Sequence, residues 1–164
     1  MTDARFSDGA ETPLALLVTD PEDLRIASAL LQDAVLSVSD LRYHARRREF
    51  VLLVNRFRWE DREAAAQAGR DYERVRCLVL FQDVLSVQSQ GLHKQDEDTI
   101  LSILTINFEP GEDGTGTVVL TLAGDGAVRM QVEALNTTLR DVTRPYRAPS
   151  GKAPAHSLPD FPDA

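Results

Sequence analysis

Between Arg74 and Gln90 the chain places apolar side chains at every second position: Val75, Cys77, Val79, Phe81, Leu85 and Val87 share one parity. Alternation with period two marks a β-strand that buries one face. Leu78 and Leu80 fill part of the other face, which predicts a central strand partly buried on both sides. Such a strand needs neighbours, and the same period recurs around it. Upstream, Leu36 and Val38, then Leu41, Tyr43 and Ala45, then Phe50, Leu52 and Val54 alternate, and Trp59 closes the run. Arg46, Arg47 and Arg48 would form the exposed tip between two of these strands. Downstream, Ile100, Leu104, Ile106 and Phe108 make a strand, and residues 111–116, GEDGTG, a hairpin loop. Val118, Leu120 and Leu122 form the next strand, and Gly124-Asp125-Gly126 turns into Val128 and Met130.

Three segments depart from that period. Leu14 to Val18 reads as a short strand leading into Asp20-Pro21-Glu22-Asp23. Asp20 suits an N-cap, Pro21 the first helical position, and the two acids the positive end of a helix. Leu24, Ala27, Leu30 and Leu31 follow as one helical stripe ending near Gln32 and Asp33. Residues 60–72 are charged and alanine-rich, a loop with one helical turn. Val132, Leu135, Leu139 and Val142 fall at i, i+3, i+7 and i+10 and predict a C-terminal amphipathic helix.

Residues 1–12 are polar and are expected to be a mobile N-terminus, with a single domain over 13–142. Residues 143–164 carry five of the eight prolines, an extended tail. The expectation is an α+β fold: a large antiparallel sheet or partly open barrel, a short N-terminal helix and a C-terminal amphipathic helix. That order resembles a pleckstrin-homology-like barrel, whose last helix plugs one end. The resemblance implies binding of peptides, lipid headgroups or partner domains.

At 164 residues and 43% hydrophobic content the chain can build a real core; a domain of this size buries roughly 68–70% of its unfolded surface. Cys77 is the one cysteine, so no intrachain disulfide forms and a reducing compartment fits. The first twenty residues lack the basic and apolar regions of a signal peptide. No apolar run is longer than that of Leu14–Val18, which is far below the roughly 18 residues of a membrane span. A cytoplasmic protein with no membrane partner is expected.

Charge is distributed unevenly. The segment from Arg42 to Arg76 holds ten of the 18 basic residues and six acidic ones, a net +4 within a chain of net −8. The overall balance argues against nucleic acid, which needs a basic surface. Sixteen of the 18 cations are arginine, the residue for bidentate contacts, although a GC-rich genome would also favour arginine codons. Arg46, Arg47 and Arg48, with Arg56 and Arg58 near Trp59, can hold a phosphorylated or acidic protein partner. The same arginines can instead pair with Glu49, Glu60, Asp61 and Glu63 and guard a sheet edge.

Other motifs point to ordinary structure. GEDGTG joins two strands, whereas a phosphate loop joins a strand to a helix, and its acids repel phosphate. Counting from Asp96, an EF-hand would need glycine at Leu101 and glutamate at Asn107. His44, His93 and His156 lie in separate segments without zinc-site spacing. No serine sits in a G-x-S-x-G elbow. Cys77 reads as a packed core thiol. No cofactor or metal is implied. The chain reads as a binding or adaptor module using an arginine-rich surface, the alternative being a small enzyme whose scattered polar residues meet in the fold.

Three phrases carry a family resemblance: LQDAVLSVSDLRY from Leu31, FVLLVNRFRWE from Phe50, and LRDVTRPYRAPSGKAPAHSLP from Leu139. They resemble an alphaproteobacterial family catalogued as domain of unknown function 2948, over roughly residues 14–158. The second phrase is the most specific. Tyr146 stands where the family's closing phrase is expected to have tryptophan, a conservative departure. The resemblance implies a bacterial, cytoplasmic setting and carries no catalytic residue.

Overall fold

The computed structural model describes residues 13–69, 73–92 and 98–147. The expected mobile N-terminus, residues 1–12, and the stretch from 148 onward lie outside the described residues. The strands are β1 (Ala15–Val18), β2 (Val35–Ser37), β3 (Leu41–His44), β4 (Glu49–Phe57), β5 (Glu73–Phe81) and β6 (Val84–Gln90). They continue as β7 (Ile100–Pro110), β8 (Gly116–Leu122), β9 (Ala127–Val132), β10 (Thr137–Asp141) and β11 (Tyr146–Arg147). Two α-helices accompany them among the described residues, α1 (Pro21–Leu31) and α2 (Arg62–Ala68).

The start of α1 follows from its residues. The Asp20 carboxylate accepts the Asp23 N–H at 2.9 Å, and Pro21 opens the first turn. Leu24, Ala27 and Leu31 form its buried stripe. Further along, Ser28 Oγ accepts the Ile106 N–H at 2.9 Å, so the helix satisfies a backbone donor of β7.

The described strands form one antiparallel sheet in the order β1-β10-β5-β4-β2-β7-β8-β9-β6, with β3 beside β4 and β11 beside β5. The sheet is open, with β1 and β6 as its edges. Its two halves share one core: Leu52, Cys77 and Leu139 from one half join Ile103, Leu120 and Met130 from the other in a single buried cluster. From Phe50 to Arg56 on β4 and from Val75 to Phe81 on β5 burial alternates. Phe50, Leu52, Val54 and Arg56 point inward opposite Phe81, Val79, Cys77 and Val75.

Four sequence expectations need correction. No helix spans 132–142: Val132 ends β9, Leu135 sits in a turn, and Thr137–Asp141 is a strand between β1 and β5. The apolar spacing fits a helix by count alone. β-branched Thr137 and Thr138 favour the strand, and ladder partners on both sides decide it. A helix plugging the barrel from this position, as in a pleckstrin-homology-like domain, is therefore absent among the described residues.

Secondly, the run from Arg74 to Gln90 is two strands. Asp83 breaks it with φ 58°, a left-handed conformation that aspartate tolerates better than most residues. Beyond the break Val84 is buried and Leu85 is 47% exposed. Thirdly, a bulge between Ile103 and Thr105 shifts the register of β7. Leu101, Ile103 and Ile106 are therefore buried while Leu104 is exposed. Lastly, the single helical turn expected in 60–72 is the seven-residue α2.

Candidate functional site

The turn between β3 and β4, Ala45–Arg48, is held from both sides. The Arg47 N–H donates to His44 O and the Arg48 N–H to Ala45 O, both at 3.1 Å. Arg48 adopts φ 55°. Its carbonyl accepts the Val84 N–H at 2.9 Å, and the Tyr43 hydroxyl donates to Val84 O at 3.1 Å, fastening the turn to the start of β6. Arg46, Arg47 and Arg48 are all exposed. Arg48 reaches Glu133 at 3.3 Å. That pair is open to water on both sides and contributes little stability.

Arg56 belongs to a different environment. It lies about 26 Å from Arg48 along the strand and is fully buried. Its Nε and Nη2 donate to the two carboxylate oxygens of Asp141 at 3.0 and 2.9 Å. Nη1 and Nη2 donate to Glu60 at 2.8 and 2.7 Å, and Nη1 also donates to Phe57 O at 3.3 Å. Every N–H of the guanidinium thus has an acceptor. Burial alone would disfavour its charge, but the hydrogen bonds and attraction of Glu60 and Asp141 outweigh burial and raise its pKa. Burial likewise pushes the Glu60 carboxyl up, and Arg56 overrides it to hold that pKa below the ordinary value. Asp141 also accepts the Leu14 N–H at 2.8 Å. One carboxylate therefore ties β10, β4 and the entry to β1 together.

Arg58 is buried too, with Nη1 donating to Glu73 at 2.7 Å. Trp59 is half-buried: its indole N–H donates to Gln32 O at 3.0 Å, and its ring meets Phe57 edge-on at 4.6 Å. Arg62 lies 5.7 Å from that ring's centre, within cation–π range. The six residues singled out from the sequence thus divide. Arg46, Arg47 and Arg48 share the exposed turn, whereas Arg56, Arg58 and Trp59 pack the opposite end of β4. They do not form one surface. The physical reason is parity: Arg56 follows Phe50, Leu52 and Val54 inward, and the buried Asp141 carboxylate, with Glu60 at the rim, makes that tolerable.

Sequence reasoning missed Asp141 and Arg74. The Arg56–Glu60 spacing of four was visible, but Asp141 is 85 residues away and nothing local announced it. Arg74 is buried beside Asn55 O at 3.5 Å. Burial lowers its pKa, against the opposing fields of Tyr146 and Asp33.

Two clefts lie elsewhere among the described residues. One of about 380 Å³ separates α1 from β7, with Arg25 as the sole titratable lining residue. Another of about 430 Å³ is lined by Gln88, Ser89, Gln90, Ala127 and Arg129. Neither brings an acid and a base together. Among the described residues no three His, Cys, Asp or Glu side chains are grouped as metal ligands. No described helix is long and apolar enough to cross a membrane.

No curated protein and no solved structure matches the chain. The model of one family, protein of unknown function DUF2948, matches residues 14–156. That span takes in the whole described sheet, the arginine turn and the Arg56–Asp141 core, and the chain belongs to the DUF2948 family.

Proposed function

We propose that the protein is a non-enzymatic binding module and that the Arg46-Arg47-Arg48 turn takes an acidic protein partner. The observation that carries this reading is the fixed geometry of the turn. Three consecutive exposed arginines, Arg48 of them also reaching Glu133, stand on a backbone anchored to β3, β4 and β6, so little backbone ordering entropy opposes contact. Arg42 on β3 adds a further exposed cation near it. The rest of this acidic chain repels other anions, which favours approach of a carboxylate-rich surface at this end. Arg56, Arg58 and Trp59 support the sheet beneath and do not touch the partner.

The test is charge reversal of all three residues, Arg46→Glu, Arg47→Glu and Arg48→Glu, with binding of a fluorescent oligoglutamate peptide followed by anisotropy at two salt concentrations. Wild type should bind in a salt-sensitive way and the reversed chain should not. Reversal of Arg129, on β9, should leave binding unchanged. Equal affinity of the triple variant and wild type refutes the reading.

A further inference from the structure

The outer face of the β1-β10-β5-β4 half carries what an ordinary solvated sheet face lacks. The register stacks its outward residues in rows. Leu17, Thr138, Leu80, Val51 and Arg42 run side by side across β1, β10, β5, β4 and β3. The next row is Ala15, Arg140, Leu78 and Leu53, and the next is Arg76 beside Asn55. Val51, Leu53, Leu78 and Leu80 therefore form a contiguous aliphatic centre, each half-buried, and Leu17 is 59% exposed. Arg42, Arg76 and Arg140 surround that centre and are exposed. The acids nearby are engaged or peripheral. Asp40 lines the recess beside Arg76 but accepts from the N–H and hydroxyl of Ser37, both at 3.0 Å. Glu49 lies at the margin opposite His44.

The chain itself contains a complement. Residues 158–163 read Leu-Pro-Asp-Phe-Pro-Asp. Prolines at 159 and 162 remove the donors needed to add a strand at an edge and favour polyproline II, with three residues per turn. In that conformation Leu158 and Phe161 share one ridge, and Asp160 and Asp163 another. The two carboxylates would stand about 9 Å apart along the segment. Arg76 and Arg140 are diagonal neighbours, two residues along and one strand over, about 8 Å apart. The tether also reaches. Tyr146 and Arg147 pair with Arg74 and Glu73 at the end of this sheet. From there the chain doubles back about 17 Å to Leu78, and the eleven residues from Arg147 to Leu158 span about 34 Å.

We propose that Leu158–Asp163 docks in cis on this face, with Asp160 and Asp163 against Arg76 and Arg140 and with Leu158 and Phe161 on the Leu53, Leu78 and Leu80 aliphatics. A tethered segment has a high effective concentration, so modest contacts suffice to cover a face that would otherwise invite association. The inference rests on the sheet register and is independent of the partner proposed for the arginine turn.

A nitroxide attached at Ala164→Cys in the full chain tests it, because Cys77 is buried and its thiol does not compete for the label. Backbone amides of Leu53, Leu78 and Thr138 should lose intensity in the NMR spectrum, whereas Val118 and Leu120 of the other half should not. The losses should fade between ~0.02 M and ~0.5 M salt, as screening shortens the Debye length. They should disappear in Asp160→Lys with Asp163→Lys, and equally in Arg76→Glu with Arg140→Glu. If the arginine pair fails to fold, the aspartate pair decides alone. No broadening on the face at low salt overturns the proposal. So does broadening that survives the aspartate reversal. Broadening of isotope-labelled chains by a separately nitroxide-labelled copy assigns the face to a second molecule and also overturns docking in cis.

Discussion

Replacing Arg56 by methionine isolates the buried charge at the far end of β4. Methionine keeps most of the aliphatic volume, so little of the loss comes from a cavity. What remains is the Asp141 carboxylate, 3% exposed, stripped of its charged partner. Glu60 is 36% exposed and can turn to water; Asp141 cannot. Breaking a buried pair on one side costs about 3–5 kcal/mol, a large part of the about 5–15 kcal/mol typical of a whole domain. Asp141→Leu should cost about the same, since it takes away the buried one of the guanidinium's two carboxylate partners, leaving half-exposed Glu60, and also removes the acceptor of the Leu14 N–H. The double variant, Arg56→Met with Asp141→Leu, leaves no orphan charge. It should lose less than the sum of the singles, by a coupling of about 1–3 kcal/mol, and should stay below wild type because the Leu14 N–H has no acceptor. Urea unfolding at constant m-value measures all four corners of the cycle. An Arg56→Met variant within about 1 kcal/mol of wild type, or additive singles, would refute the claim that this network holds β10 and β4 together.

Leu139→Ala should cost about 2–5 kcal/mol because Leu139 is buried in β10, whereas Val142→Ala should change stability by under about 0.5 kcal/mol; equal losses in thermal unfolding would restore a shared helical stripe. The Cys77 thiol, pushed up to about 12 by burial and further by nearby Asp141, should resist a thiol reagent until denaturant is added, and rapid stoichiometric labelling of the native chain would contradict its place in the core. Glu60 has its folded pKa below the unfolded value, so the unfolded chain takes up the proton first as pH falls; the stability advantage of wild type over Glu60→Gln should be present at neutral pH and shrink in acid below the ordinary carboxylate range. A difference between the two that does not change with pH would break that link.

The sequence made some of this structure legible and concealed the rest for identifiable reasons. Asp20 and Pro21 announced α1 because capping is local, and the chemistry of four adjacent residues contains the signal. Phe50, Leu52 and Val54 announced the inner face of β4 for the same reason. The segment 132–142 failed because its apolar positions fit two periods, and the deciding facts were the neighbouring strands β1 and β5, far off in sequence. The break at Asp83 and the bulge at Ile103–Thr105 each alter parity by one residue, and a periodicity read through them joins two faces into one.

Arg56 shows most sharply how local and distant information divide. Strict alternation from Phe50 puts position 56 inside, so the pattern itself carried the placement of Arg56. Hydrophobicity argues against it, since an unpaired buried cation is costly. Phe57 pairs with Arg74, and the ladder does not splay. Period two won over polarity because Asp141, invisible from position 56, supplies the opposite charge. Where a period and a polarity disagree, the conflict itself predicts a buried partner of opposite sign. In a chain with 26 acids it does not say which, and the answer lies in the pairing of β10 with β5 and of β5 with β4. The arginine turn carries no such conflict between period and polarity: Arg46 and Arg47 lie in the turn 45–48, where water is the default environment, and Arg48 bears the one local cost, a φ of 55°. The exposed half of the cluster therefore stands in water, with Arg48 reaching Glu133, while the buried half is committed to the fold.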